Sequence, residues 1–312
     1  MSRIHEALKK AEQERVAPLV TDADSLMAPP SAAQPTVAPS PMSPLAEMAP
    51  RGGAIEQLTG DYIRFDDLRA HCAHPQWHPD PNANVFSPSG QYPLAAEQFR
   101  TLRSRLHQLQ NNQKIRTLLV TSSIPGEGKT FVASNLAQAI VCQPDRRVLL
   151  IDADLRCSRL HLRLGAPSSP GLTDYLSGKA DEMAVIQQGP NENLCFIPGG
   201  SNVTNPSELL SNGRIKELLT RLAPVFDWVI LDSPPCLPVA DASVLADICD
   251  GVLFVVRAGS TPSEVAHQAS QELRGRTVLG VVLNGVEEVG GYGAYYYYGD
   301  GGSRGESKDS RA

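Results

Sequence analysis

The chain has 312 residues, 41% of them apolar, which exceeds one typical domain and is enough for one substantial core. Its formal net charge of −6 excludes a global basic field that would draw it to nucleic acid or anionic lipid. No apolar run approaches the roughly 18–20 residues that cross a bilayer, the opening MSRIHEALKK puts charges where a signal peptide needs its apolar stretch, and six scattered cysteines without CxxC spacing suit a reducing compartment. The expectation is a soluble intracellular protein.

In chain order, residues 1–15 place Ile4, Leu8 and Ala11 at helical spacing between charges, a narrow stripe that reads as a solvated helix or a docking helix for a partner. Residues 16–91 are rich in Pro, Ala and Ser, and so poor in large apolar side chains that the expectation is a largely disordered linker. Within them, His71, Cys72, His74 and His78 match no standard zinc spacing. The texture changes at residue 92. A helix pattern, LAAEQFRTLRSRLHQL, precedes six apolar runs: RTLLVTSS, RVLLIDAD, NLCFIPGG, DWVILDSPP, GVLFVVRAG and VLGVVLNGV. Helical stretches begin near Lys129, Pro206, Ala240 and Pro262. Continuous apolar strands alternating with helices predict an α/β fold over 92–289, a mostly parallel sheet with helices on both faces. Residues 290–312 form a Gly/Tyr-rich and then charged tail, expected to be mobile.

The stretch TLLVTSSIPGEGKTFVASNLAQAI has the order that phosphate binding needs: strand, glycine-containing turn, Lys129 and Thr130, helix. The turn Pro125–Gly126–Glu127–Gly128 aims backbone N–H groups at phosphates, and the helix from Lys129 through Phe131 adds its positive end. Lys129 neutralises the outer phosphates and Thr130 offers an oxygen to Mg²⁺. The first glycine of the usual pattern is replaced by Ser123. Asp152 and Asp154 close one apolar run and Asp232 another, at the carboxyl ends of strands where open α/β sheets bind ligands. Three clustered carboxylates repel one another, and a bound metal is the natural remedy. These features predict a P-loop nucleotide-binding protein with Mg²⁺ at its phosphates.

Two aspartates on the strand after the P-loop helix make the core resemble the P-loop branch that includes the division-site and partitioning ATPases. The early loop lysine of those ATPases is Ile124 here, which argues against an ATPase switch, the alternative reading. The closer resemblance, over roughly residues 92–298, is to the bacterial tyrosine kinases that control capsule and exopolysaccharide synthesis. SSIPGEGKT looks like their P-loop, LLIDADLR like their extra acidic motif and VILDSPP like their third. Glu97, Arg100 and Arg103 in AEQFRTLR fit the ExxRxxR pattern that joins their subunits into a ring; an exposed charged stripe is the other reading. Five of the eight tyrosines, Tyr292, Tyr295, Tyr296, Tyr297 and Tyr298, fall in the tail, where that family carries its autophosphorylation cluster.

The resemblance implies an ATP-dependent protein-tyrosine autokinase acting on the tails of neighbouring subunits. Lys129 and the loop amides would hold the phosphates, Thr130, Asp154 and Asp232 the metal, and Asp152 would accept the tyrosine proton. Asn284 at the end of the last strand resembles the asparagine that reads adenine in related folds, or is a polar strand terminator. With no membrane span, the chain looks like the separate cytosolic type. Such a kinase is recruited to the inner face of the plasma membrane by a chain-length-determinant adaptor, acts on protein tyrosines and uses no nucleic acid. A non-catalytic nucleotide-binding scaffold is a third reading, disfavoured by the presence of all four residues Lys129, Asp152, Asp154 and Asp232.

Overall fold

The computed structural model describes residues 63–87 and 92–286. The expected N-terminal helix, residues 16–62 of the expected linker and the five tail tyrosines lie outside the described residues. The elements are α1 (Phe65–His71), α2 (Pro93–Asn112), β1 (Thr117–Ser122), α3 (Lys129–Val141), β2 (Val148–Asp152), α4 (Leu160–Leu164), α5 (Leu172–Leu176), α6 (Glu182–Val185), β3 (Gln187–Gln188), β4 (Leu194–Ile197), α7 (Pro206–Ser211), α8 (Arg214–Leu222), β5 (Trp228–Asp232), α9 (Asp241–Ala246), β6 (Gly251–Arg257), α10 (Ser263–Glu272) and β7 (Val278–Asn284).

Each of the six apolar runs becomes a strand. The sheet order is β3-β4-β2-β5-β1-β6-β7, parallel throughout except for the short β3, which pairs antiparallel with β4. Period-two alternation sends Leu119, Leu149, Ile151, Val229 and Leu231 to one face and Leu118, Val120, Val148, Leu150 and Ile230 to the other. The first set packs with α1, α5, α8 and α9, the second with α2 and α3. Burial on both faces is why these strands read as unbroken apolar runs. On α8 the buried set Ile215, Leu218, Leu219 and Leu222 follows i, i+3, i+4, i+7. The single helix expected from Pro206 is instead two, α7 and α8, because Gly213 takes φ 84° between them.

The two margins of the sheet differ. At one, Ala73 lies beside β3, donating its N–H to the Ile186 carbonyl and accepting from the Gln188 N–H. At the other, β7 carries the exposed Val281 and Leu283.

Residues 63–87 correct the expected linker, which was drawn through residue 91. Phe65 meets Phe226 edge-on with centroids 5.7 Å apart, and Trp77 meets Phe196 at 5.9 Å. Leu68 and Val85 are buried. The buried Asn135 of α3 clasps this segment: its Oδ1 accepts the Val85 N–H and its Nδ2 donates to the Ala83 carbonyl. The apolar residues here are few and irregularly spaced, so no periodicity announces them, yet each fills its own gap in the domain surface.

In the same segment, His71 Nδ1 faces the Asp67 carbonyl at 2.8 Å and Cys72 is buried. Among the described residues no three His, Cys, Asp or Glu side chains form a metal-binding group, and no helix is long and apolar enough to cross a membrane.

Candidate active site

The chain passes from β1 outward to β2 and β4, returns through β5, and leaves on the other side through β6 and β7. The reversal brings the carboxyl ends of β1, β2, β5, β6 and β7 to one rim, where open α/β sheets take their ligands. The loop after β1 runs directly into α3. Gly126 has φ 88° and Gly128 φ 95°, the left-handed region that glycine enters without penalty. Gly128 also has no room for a side chain, because a Cβ there would stand 2.0 Å from Asn284 Nδ2. Pro125 and Gly126 are exposed at the loop mouth, whereas the Glu127 side chain is buried.

Lys129, the first residue of α3, reaches into a carboxylate group. Its Nζ lies 2.9 Å from Asp154 Oδ2. Burial works against its charge, but Asp232, Asp154 and Asp152 outweigh burial and hold its pKa above the usual lysine value. Asp152 and Asp232 end adjacent parallel strands in register. Burial pushes both above the ordinary carboxylate range; Asp154 adds to the rise at Asp152, and Asp152 and Asp154 add to it at Asp232.

Asp152 Oδ2 accepts from Ser158 Oγ at 2.7 Å and the Leu160 N–H at 3.0 Å, while its Oδ1 is buried and without a partner. Asp232 Oδ1 is likewise buried and unpartnered, and Thr130 stands close enough to this carboxylate to offset part of the rise. Asp154 lies just beyond β2, its Oδ1 accepting the Cys157 N–H at 3.0 Å. The structure thus gathers Lys129, Thr130, Asp152, Asp154 and Asp232 at one place.

The other candidate residues divide. Asn284 Nδ2 donates to the Glu127 carbonyl at 2.9 Å, so its amide braces the loop. The Phe131 ring turns toward α2, 5.8 Å from Phe99, with the Arg163 guanidinium 5.5 Å over its face. Glu97 and Arg100 pair with each other on the exposed face of α2. Arg103 points inward, its Nη1 donating at 2.6 Å to the Ala139 carbonyl in the last turn of α3, a cation at a helix C-terminus.

Three further contacts shape the rim. Arg156 grips the buried Asp241 with Nε at 2.7 Å and Nη2 at 3.3 Å and also reaches Ser207, joining the loops after β2 and β5. Thr261 and Arg257 hold the Glu127 carboxylate. Arg156 stands inside the LLIDADLR stretch, where a signal was available; nothing in the sequence pattern marks Thr261.

The AAA domain family model matches residues 115–268. The tyrosine-protein kinase YwqD of Bacillus subtilis is 35% identical over 218 residues, covering 69% of this chain and 91% of that protein. The chain belongs to the bacterial tyrosine-protein kinases. The Wzc kinase of Salmonella typhimurium is 39% identical over 212 residues, or 66% of this chain but only 29% of that much longer protein. Among solved structures, the kinase domain of the Escherichia coli tyrosine kinase ETK superposes with a TM-score of 0.62 at 31% identity, covering 77% of this chain and 94% of that domain. The chain is thus a tyrosine-protein kinase on a P-loop fold.

Proposed function

We propose that this kinase phosphorylates tyrosines in the tail of a neighbouring copy, using Mg²⁺-ATP, and that it thereby regulates the polymerisation and export of an exopolysaccharide or capsule. The observation that carries this reading is the convergence of Lys129, Thr130 and three buried carboxylates at the mouth of the phosphate loop, in a chain with five tyrosines beyond residue 290.

The residues present fit a nucleotide with its divalent cation. Asp152 and Asp232 each keep a buried oxygen without a partner, and three carboxylates outnumber the single lysine among them. Among the described residues no group of protein ligands suffices to hold a metal alone. That agrees with Mg²⁺, which takes one or two carboxylates and completes its shell with phosphate oxygens and water. When bound, Mg²⁺-ATP supplies the γ-phosphoryl group and a counter-charge to the carboxylates.

Around it, the amides from Gly126 to Thr130 cradle phosphate oxygens and Lys129 neutralises the outer ones. Thr130, Asp154 and Asp232 orient the cation. Asp152, fixed at Oδ2 by Ser158 and Leu160, presents Oδ1 as the acceptor of the tyrosine hydroxyl proton. The tyrosine oxygen then forms its bond to the γ-phosphorus as the β–γ bridging bond breaks. Asn284, beside the loop, would meet the adenine.

Glu97 and Arg100 on the open face of α2 support an interface between copies, with Arg103 acting through α3. The polysaccharide context follows from the family resemblance of residues 92–298, and a membrane-anchored adaptor would recruit the kinase to the cytoplasmic face of the membrane.

Mass spectrometry of the C-terminal peptide after incubation with Mg²⁺-ATP, with Lys129→Met as control and an adaptor's cytosolic segment present, tests the reading. Phosphate on Tyr292–Tyr298 in the wild type alone is the expected result. An unmodified tail alongside measurable ATP hydrolysis would overturn it in favour of a nucleotide switch.

A further inference from the structure

The phosphate loop carries a carboxylate in its middle, which on charge alone is the wrong group for a loop that receives phosphates. Glu127 turns away from the mouth. It is 1% exposed, and three donors fill its two oxygens. Oε2 accepts the Ile124 N–H at 2.8 Å; Oε1 accepts the Thr261 hydroxyl at 2.6 Å and the Arg257 N–H at 3.3 Å. The Arg257 guanidinium donates to the Gly126 carbonyl at 3.2 Å, and Asn284 holds the Glu127 carbonyl. Behind these contacts, the Thr261 N–H bonds the Arg257 carbonyl at 3.1 Å and the Ala258 N–H bonds the Asn284 carbonyl at 2.8 Å. The entry of the phosphate loop and its centre are therefore tied to one short turn, residues 257–261, between β6 and α10.

We propose that Glu127 and Thr261 are positioning residues, a buried carboxylate and its hydroxyl clasp that hold the phosphate loop in its anion-cradling shape and so set nucleotide affinity. Neither need touch the nucleotide. The Thr261 bond is charge-assisted, the stronger kind of hydrogen bond. Without it, one oxygen of a buried carboxylate keeps only the long contact from Arg257. The charge is then free to swing toward the mouth, where it opposes the phosphates.

Electrostatics and positioning predict opposite signs for Glu127→Gln. If the carboxylate acts only through its charge, removing it tightens nucleotide binding. If it acts as a clasp, the amide weakens binding, because its NH₂ faces either the Ile124 N–H or the donors from residues 257 and 261.

The inference rests on the reading of residues 126–130 as the nucleotide loop, and titration of fluorescent ADP into the full-length protein separates the two. Wild-type protein that binds no ADP overturns both. The expected result is roughly tenfold weaker ADP and ATP binding in Thr261→Val, the scale of one charge-assisted bond, with Thr261→Ser close to wild type and Glu127→Gln weakened in the same direction. At saturating ATP, kcat and the KM for an acceptor tyrosine stay unchanged in Thr261→Val, a split that a general loss of folding would not produce. Because Thr261→Val is nearly isosteric, it remains informative if Glu127→Gln fails to fold. Wild-type affinity in Thr261→Val, or tighter binding in Glu127→Gln, overturns the inference while leaving the nucleotide site intact.

Discussion

Two glycines one residue apart in the phosphate loop can be told apart by a single methyl group. Alanine at either position must enter the left-handed region, since Gly126 has φ 88° and Gly128 φ 95°, a strain of about 1–2 kcal/mol. For Gly126→Ala that is the whole effect, because a Cβ there meets nothing within 4 Å. For Gly128→Ala the new Cβ falls 2.0 Å from Asn284 Nδ2 and 3.2 Å from its Cγ. Asn284 must move, losing its bond to the Glu127 carbonyl, a further ~1 kcal/mol, with overpacking of ~1 kcal/mol or more besides. If the loop relaxes to a shape that does not bind, these sums appear as lost affinity at about tenfold per 1.4 kcal/mol. Fluorescent-ADP titration should then show Gly126→Ala weakened roughly 5- to 30-fold and Gly128→Ala at least another tenfold. Asn284→Ala clears the space, so the Gly128→Ala/Asn284→Ala pair should couple by ~1–2 kcal/mol in a double-mutant cycle. Equal losses for the two alanines, or strict additivity in the cycle, would refute the reasoning.

A chain starting at residue 92 sheds Phe65, Leu68, Trp77 and Val85, each buried in the domain and worth ~1.5–3 kcal/mol as an upper bound. Thermal unfolding should place it more than about 10 °C below a chain starting at residue 63; equal midpoints would return this segment to the linker. Arg156→Ala leaves the fully buried Asp241 with Ser207 as its remaining partner, costing about 1–2 kcal/mol after allowance for the half-exposed guanidinium. Arg156→Lys should not restore the melting temperature, because an ammonium cannot make the forked contact. His161 is kept below the usual histidine pKa by burial, with Nδ1 unpartnered. The unfolded chain therefore binds more protons below about pH 6.5, and stability falls as pH drops from 7 to 5. In His161→Gln that part of the slope should vanish in denaturant titrations, and an unchanged slope would count against it.

The parallel sheet was legible because its strands are buried on both faces and so read as unbroken apolar runs; the phosphate loop was legible because its chemistry dictates residue order. Both signals are local. The contacts that complete the site are not. Glu127 and Thr261 lie 134 positions apart, and Arg156 and Asp241 lie 85 apart, joined only because β6 and β5 end at the same rim. Arg103 shows the converse: its i, i+3, i+6 spacing from Glu97 and Arg100 marks a shared helix face, but side-chain reach sends it to α3 while its neighbours stay in solvent. Trp77 and Val85 were hidden for a third reason. Isolated apolar residues among prolines carry no period, and only the gaps they fill reveal them.

The contrast between the two sheet margins bears on how copies can meet. A margin ending in β7, with neither charge nor proline in VLGVVLN, is open to strand pairing. The opposite margin is occupied by Ala73, in a stretch where Pro75 and Pro79 interrupt the row of donors. Among the described residues, β7 is therefore the margin left for edge-to-edge contact, and two copies pairing there would meet across a two-fold axis. Head-to-tail stacking, which would build fibres, finds no second open edge among the described residues. A few residues beside the sheet thus bias strand-mediated association toward a closed pair.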